Sequence, residues 1–309
     1  MRVLFWGTPE FSLPALRALT GEGHDVVGVV TQPDRPAGRG QQLAMSPVKQ
    51  AASADDLPIL QPERARGDDL VAAIRELDPE ISIVVAYGQI LPRQILALPQ
   101  HGSLNIHASL LPELRGAAPV HWAIIRGLEV TGVTIMQMEE ELDAGPILHS
   151  VAEPIRADES TSELSMRLSE IGAEALVEAL AMIEAAGEIP PEPQDASRAT
   201  YAPKIERETA HLDWSLPAVE IARWIRGLDA VPGAWSTVGG GTVKLFDPRV
   251  EVHQGDPGVV LDADPEVGIL IAAGHEAVRV REVQPAGKRR MTAGDWARGR
   301  GVRTGDRLA

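Results

Sequence analysis

The sequence predicts an α/β chain in two parts, a mostly parallel sheet with helices on both faces followed by a small β-barrel. Three observations carry this prediction. Apolar strand-like runs alternate with helical stretches through the first half, a polar, proline-rich break follows, and several short strand signals then crowd into roughly 75 residues. A length of 309 residues makes two domains the default expectation. The expected boundaries are 1–186 for an N-terminal domain, 187–203 for a linker and 204–309 for a C-terminal domain.

The strand-like runs of the first part are 2–6, 25–31, 81–86, Ser103–His107 and 133–138. Between the first two lies "PEFSLPALRALTGEG", with Pro9 near a helix start and Gly21 near its end. This is the βαβ rhythm of a Rossmann-like sheet, in which ligands sit beyond the carboxyl ends of the strands. After the second run comes "TQPDRPAGRGQQLAMSPVK", residues 31–49. It is polar and broken by Pro33, Pro36, Gly38 and Gly40, and reads as a mobile surface loop without structure of its own. A long helix is expected after residue 160. Ser160 and Glu163 stand at capping-box spacing, and Leu164, Leu168, Ile171, Ala175, Leu176, Ala179 and Ile183 recur at helical period. "GEIPPEPQDASRATYAPK" then has no periodicity, hence the linker. Beyond it, a short helix over 217–228 and strands near 234–238, 242–246, 258–261, Gly268–Ala272 and 277–283 suggest an OB-like barrel, with "VGGGTVKLF" as a hairpin on a glycine turn.

Composition bounds the chemistry. There is no cysteine, which removes disulfides, thiolate metal sites and thiol nucleophiles and fits a reducing compartment. No run of 18 apolar residues occurs, and the apolar run in "MRVLFWGTPEF" is too short for a signal segment, so a cytosolic protein with no membrane contact is expected. The net charge of −15 hides an asymmetry. Of 29 basic and 44 acidic side chains, residues 204–309 hold 15 of each, and the stretch from Arg279 onward holds 9 basic against 3 acidic. An acidic body joined to a basic end suggests one part for chemistry and another for an anionic partner.

"FWGTPEF" offers one glycine rather than a dinucleotide fingerprint, and no phosphate-binding G-K-[ST] occurs, so the glycine reads as a tight turn. Asn105 and His107, two apart on a strand, share one side of it. An imidazole and a carboxamide placed together can donate to an oxygen on which charge develops, which suits acyl transfer. A histidine bonded to a loop carbonyl beside an asparagine capping a turn is the plainer alternative. Asp143, in the turn "LDAGP" after the 133–138 run, is a third candidate. If the two neighbouring strands are parallel, their ends share one rim and Asp143 meets His107, where a carboxylate would hold the imidazole. His101, His121 and His149 lack metal-ligand spacing, and no metal is expected.

The motifs "TQPDRPAGRG", "SPVK", "VVAYGQILP", "NIHASLLPELRGAAPVHWAI", "TGVTIMQMEEELDAGPIL" and "GKRRMTAGDWARG" resemble the methionyl-tRNA formyltransferase family over nearly the whole chain. The resemblance implies that Asn105, His107 and Asp143 are catalytic and that 10-formyltetrahydrofolate is the donor. It implies a folate site around Tyr87, Gly88, Gln89, Ile90, Leu91, Ser109, Leu110, Leu111, Pro112 and Leu142, with the pterin against backbone. It implies methionyl initiator tRNA as partner, held by Arg35 and Arg39 of the 31–49 loop and by Lys288, Arg289, Arg290, Arg298 and Arg300; a monomer is expected. Leu114 stands where that family often has an aromatic residue. Gln41 and Gln42 stand where it often has lysines, which leaves the basic character of the loop to Arg35 and Arg39. A folate-dependent transferase acting on a sugar-nucleotide or purine-intermediate amine, a formyltetrahydrofolate hydrolase, and a non-catalytic binding module are the alternatives.

Overall fold

The computed structural model describes residues 1–37, 42–186 and 192–309. In chain order its elements are β1 (Arg2–Gly7), α1 (Leu13–Gly21), β2 (Asp25–Val30), β3 (Arg35–Ala37), β4 (Gln42–Ala44), α2 (Pro47–Ala54), β5 (Ile59–Leu60) and α3 (Asp68–Leu77). There follow β6 (Ile81–Val85), α4 (Arg93–Leu96), β7 (Ser103–His107), α5 (Pro119–Ile125), β8 (Val130–Gln137), β9 (Ile147–Pro154) and α6 (Thr161–Ala186). The last stretch holds α7 (Ala218–Gly227), β10 (Trp235–Val238), β11 (Gly241–Glu251), β12 (Val260–Asp264), β13 (Gly268–Ala272), β14 (Ala277–Pro285), β15 (Met291–Thr292) and α8 (Ala293–Arg298).

The chain divides into two compact units. One comprises residues 1–116, 130–154 and 165–202, the other 117–129, 155–164 and 203–309. In the first, among the described residues, seven strands form a sheet in the order β5-β2-β1-β6-β7-β8-β9. From β5 to β7 all pairs are parallel, whereas β7–β8 and β8–β9 are antiparallel. The apolar runs at Val3 to Trp6 and Ile81 to Val85 are buried on both faces, as expected of central parallel strands. Trp6 stacks edge-on against Tyr87 at 5.1 Å between ring centres, inside a core that includes Leu4, Val30, Leu70, Ile74 and Ile95.

The parallel pairing expected between the Asn105 strand and its neighbour is corrected: β8 runs against β7, with His107 opposite Thr134. A buried apolar run carries no mark of its direction. A nine-residue return joins β8 to β9, too short for a parallel crossover, so those two strands must be antiparallel at the sheet edge. The 31–49 segment is also corrected, since β3 pairs with β4 as a ribbon and Pro47 to Lys49 open α2 behind an N-cap at Ser46. The apolar faces of α2, α3 and the short α5 give too few turns to stand out as periodic segments.

The second unit is an antiparallel, barrel-like sheet in the order β10-β11-β14-β13-β12, with β15 added to β14. The expected glycine turn joins β10 to β11, where Gly239 and Gly240 both have positive φ, the backbone a tight hairpin needs. Residues 305–309 bond to both edges. Val260 donates to Asp306 and Leu308 to Gly258 on the β12 side, and Thr237 and Ala309 exchange two bonds on the β10 side. Inside lie Leu245, Ile269, Ile271, Val278 and Val280, and α7 adds Ile221 and Ile225. Helix α5 packs with α7 in this unit, Trp122 meeting Trp224 edge-on at 5.9 Å.

Helix α6 starts as its sequence requires. The Ser160 N–H donates to Glu163 Oε2 at 2.9 Å and the Glu163 N–H to Ser160 Oγ at 3.3 Å, a complete capping box. The backbone hydrogen bond from Ser160, then its hydroxyl, hold the Glu163 carboxyl below its ordinary value of 4.5. A depressed carboxyl stabilises the fold above its ordinary value and loses that contribution as pH falls through the folded-state value. Because Glu163 is exposed, Glu163→Gln should cost only about 0.5 kcal/mol near neutral pH. Urea unfolding from pH 7 down to pH 3 should show this gap closing below pH 4.5; a constant gap would contradict the charged cap.

Candidate active site

Strand β7 ends on the residues that the sequence singles out. Leu104 and Ile106 are buried in the sheet, while Asn105 is half-buried and His107 nearly covered on the alternate side. The loop after β7 folds tightly over the strand end. Thr134, on β8 opposite His107, donates from its hydroxyl to the Ser109 carbonyl at 2.7 Å and accepts from the Leu111 N–H at 3.1 Å. Leu114 in this loop has φ +57°, and its carbonyl lies 3.0 Å from His107 Nε2. A carbonyl only accepts, so Nε2 carries a proton and Nδ1 is the edge left for other partners.

Asp143 faces that edge. Its Oδ2 is 3.7 Å from His107 Nδ1 and accepts from the Gly116 N–H at 2.8 Å. The carboxylate therefore arrives by the β8–β9 return, which carries Asp143 back to His107, rather than from the end of a parallel neighbour. Asp143 adopts φ +52°, a conformation that an aspartate tolerates at some cost. Two residues on, a Cβ at Gly145 would stand 1.9 Å from the Gln137 carbonyl oxygen, so only glycine closes this return. Asn105 has no side-chain hydrogen-bond partner among the described residues. The histidine is thus bonded to a loop carbonyl, as in the plainer reading, and lies 3.7 Å from Asp143, whereas the Asn105 side chain caps no turn among the described residues.

The other expected positions separate by burial. Tyr87, Leu91, Ser109 and Leu111 are buried, and burial pushes the Tyr87 phenol up to about 12. The Tyr87 carbonyl accepts from Thr8 Oγ1 and Gln32 Nε2. Gln89 turns its carboxamide inward, accepting from the Ala65 N–H and donating to Gln32 Oε1 and the Glu63 carbonyl. Gly88 has φ +90°, and Leu110 and Pro112 lie in the loop over β7. Ile90 and Leu142 are exposed, at 78% and 56%. A cleft of about 1010 Å³ opens beside β7, lined among others by Leu96, Leu104, Met138, Glu139, Glu140 and Glu141. Asn105, His107 and Asp143 are not among the residues that line this cleft, and Leu96, Leu104 and Met138 are not among the positions expected from the sequence. Their signal lies only in their nearness to Asn105 and to the "ELDAGP" turn.

Of the basic residues, Arg35 is exposed on β3 and bonds Gln32 Oε1 at 3.3 Å, and Arg39 lies outside the described residues. In the second unit Arg290 is committed, paired with Asp229 at 3.0 Å and Glu282 at 2.5 Å and lying over the Phe246 ring at 4.0 Å. Arg298 pairs with Asp295. Lys288, Arg289 and Arg300 are exposed and have no carboxylate partner among the described residues. The histidines near the site go separate ways: His149 bonds Glu178 at 2.8 Å, His121 faces the Val231 carbonyl at 3.4 Å, and His101 lines the cleft. Burial lowers the His121 imidazole below its ordinary value. Among the described residues no helix is long and apolar enough to cross a membrane.

Comparison with known proteins agrees over both units. The profile of the formyl transferase family matches residues 1–180, and that of the formyl transferase C-terminal domain matches residues 204–301. Methionyl-tRNA formyltransferase of Ruegeria pomeroyi is 47% identical over the full length of both chains. The protein of the same name from Bacillus licheniformis is 44% identical over 99% of this chain and 98% of its own. Among solved structures, HypX from Aquifex aeolicus in complex with tetrahydrofolic acid has a similar fold, with a TM-score of 0.68 at 23% identity over 96% of this chain and 46% of that one. Methionyl-tRNA formyltransferase from Clostridium thermocellum shares the fold with a TM-score of 0.56 at 14% identity, over 81% of this chain and 94% of its own.

Proposed function

The chain belongs to the formyl transferase family, and we propose that it transfers the formyl group of 10-formyltetrahydrofolate to the α-amino group of methionyl initiator tRNA in the cytosol. The observation that carries this reading is the meeting of His107 and Asp143 on the Asn105 strand, in a chain whose full-length relatives bear that activity in their name. The amine needs little activation. Free α-amino groups titrate near 7.7 to 8.0, and an esterified carboxyl lowers that, so a substantial fraction is neutral at about pH 7. It attacks the formyl carbon, and the carbonyl oxygen takes up negative charge. The Asn105 amide donates to that oxygen, and His107, its Nε2 committed to Leu114, presents its Nδ1 edge beside it. Asp143, 3.7 Å from His107 Nδ1, holds the imidazole in place and accepts, through water, the proton that the nitrogen loses. The carbon–nitrogen bond to the folate then breaks, and the folate nitrogen takes up one proton, which balances the transfer.

The donor's ring system has hydrogen-bonding edges and apolar faces. The backbone of residues 87–91 and 138–142 supplies the first. The exposed Ile90 and Leu142, with Leu96, Leu104 and Met138 of the cleft, supply cover for the second. Ser109, Leu110, Leu111 and Pro112 shape the floor from beneath. For the tRNA, Arg35 and Arg39 serve the acceptor end, and residues 204–309 serve the phosphate backbone.

Incubation with 10-formyltetrahydrofolate and charged initiator tRNA should yield acid-stable formylmethionine, and Asn105→Ala should lower turnover by about 10² to 10³ through loss of one oxyanion donor. No product from the wild-type chain, or full turnover by Asn105→Ala, would overturn the reading. The ion pairs also sort the basic residues. Replacing Lys288, Arg289 and Arg300 together by Gln should flatten the plot of log K against log salt by roughly 2 to 3, about one unit for each phosphate no longer neutralised. Replacing the paired Arg290 and Arg298 should change it less, and equal effects of the two sets would contradict this division.

A further inference from the structure

The segment expected to be a bare linker hydrogen-bonds to both halves of the site. The Gln194 carboxamide uses all four of its hydrogen-bonding positions. Nε2 donates to the carbonyls of Asp143 at 2.9 Å and Gly145 at 2.7 Å, and Oε1 accepts from Arg115 Nε at 3.1 Å and Nη2 at 2.7 Å. Arg115 is itself buried, 3% exposed. Only an amide fits between a guanidinium and two carbonyls, because a carboxylate there would turn an acceptor on acceptors. Six residues later, Thr200 serves the other half. Its Oγ1 accepts from the Leu114 N–H at 2.9 Å, its N–H donates to the Pro112 carbonyl at 3.3 Å, and its carbonyl accepts from the Arg115 N–H at 2.9 Å.

These contacts fall on particular residues. Leu114 and Asp143 both hold positive φ, and each touches one nitrogen edge of His107. A non-glycine residue in that region is held there only by surrounding bonds. We propose that residues 194–200 form a positioning strap for the formyl-transfer centre: Gln194 sets the Asp143 carboxylate, and Thr200 sets the Leu114 carbonyl that orients His107. The inference rests on the proposed function. Neither Gln194 nor Thr200 is assigned any contact with substrate; they act through Asp143 and His107.

The test uses the full-length chain with 10-formyltetrahydrofolate and charged initiator tRNA. A displacement of about 1 Å at a reacting group costs up to about 10²-fold in rate. Gln194→Ala should therefore lower kcat by about 10- to 100-fold, with KM for both substrates kept within about twofold. Thr200→Val, which keeps shape but removes the hydroxyl, should lower kcat in the same sense, and Thr200→Ser should restore it. The ¹⁵N signals of the His107 imidazole should move in Gln194→Ala and Thr200→Val and return in Thr200→Ser. Should Gln194→Ala fail to fold, the Thr200→Val and Thr200→Ser pair decides. Unchanged kcat in the folded variants, or a loss no larger than the loss of folded protein with unmoved His107 signals, would overturn the strap. If the wild-type chain forms no product, it is the proposed function that fails, and the His107 signals still report on the strap.

Discussion

The hydrogen bond from His107 Nε2 to the Leu114 carbonyl is the constraint on which the site depends. It commits one nitrogen of a nearly buried imidazole and turns the other towards Asp143. A histidine in this setting cannot rotate or change tautomer without leaving a buried carbonyl unpaired, which costs about 1–3 kcal/mol. The price is backbone strain, since Leu114 and Asp143 both occupy a region that costs of order 1–3 kcal/mol for residues with a Cβ. Each ordinary hydrogen bond returns only about 0.5–1.5 kcal/mol net. Several are therefore needed, and several are present: Thr200 on Leu114, Gly116 on Asp143, and Gln194 on Asp143 and Gly145.

The sheet explains why these groups meet. Parallel strands β1, β6 and β7 bring the chain to Asn105 and His107, and the change to antiparallel pairing at β8 places Thr134 opposite His107. From there Thr134 ties down the loop over β7, and the short return to β9 delivers Asp143. A wholly parallel sheet would need a long crossover at this point. The second unit follows different rules. Its barrel-like sheet bonds at both edges to residues 305–309, and its basic side chains divide into those neutralised by neighbours and those left exposed.

Much of this was legible in the sequence where the signal is local. Ser160 and Glu163 announce the start of α6 because a capping box needs only four residues, and Gly239-Gly240 announces a hairpin because few other residues take positive φ. Asn105, His107 and Asp143 were legible as candidates from residue type and strand ends. The direction of β8 was not, because alternation and burial look alike in either direction. The ribbon of β3 and β4 was hidden among prolines and glycines. Gln194 and Thr200 sat in a polar segment without periodicity, and their partners lie 51 and 86 residues away in the chain, beyond the reach of any local pattern.

If His107 and Asp143 form one unit, their contributions to rate cannot be separable. A double-mutant cycle of His107→Ala and Asp143→Ala, read as single-turnover formyl transfer to charged initiator tRNA, measures this most directly. The double variant should be little slower than the slower single variant. Losses that multiply, as for two independent residues, would contradict the shared His107–Asp143 centre.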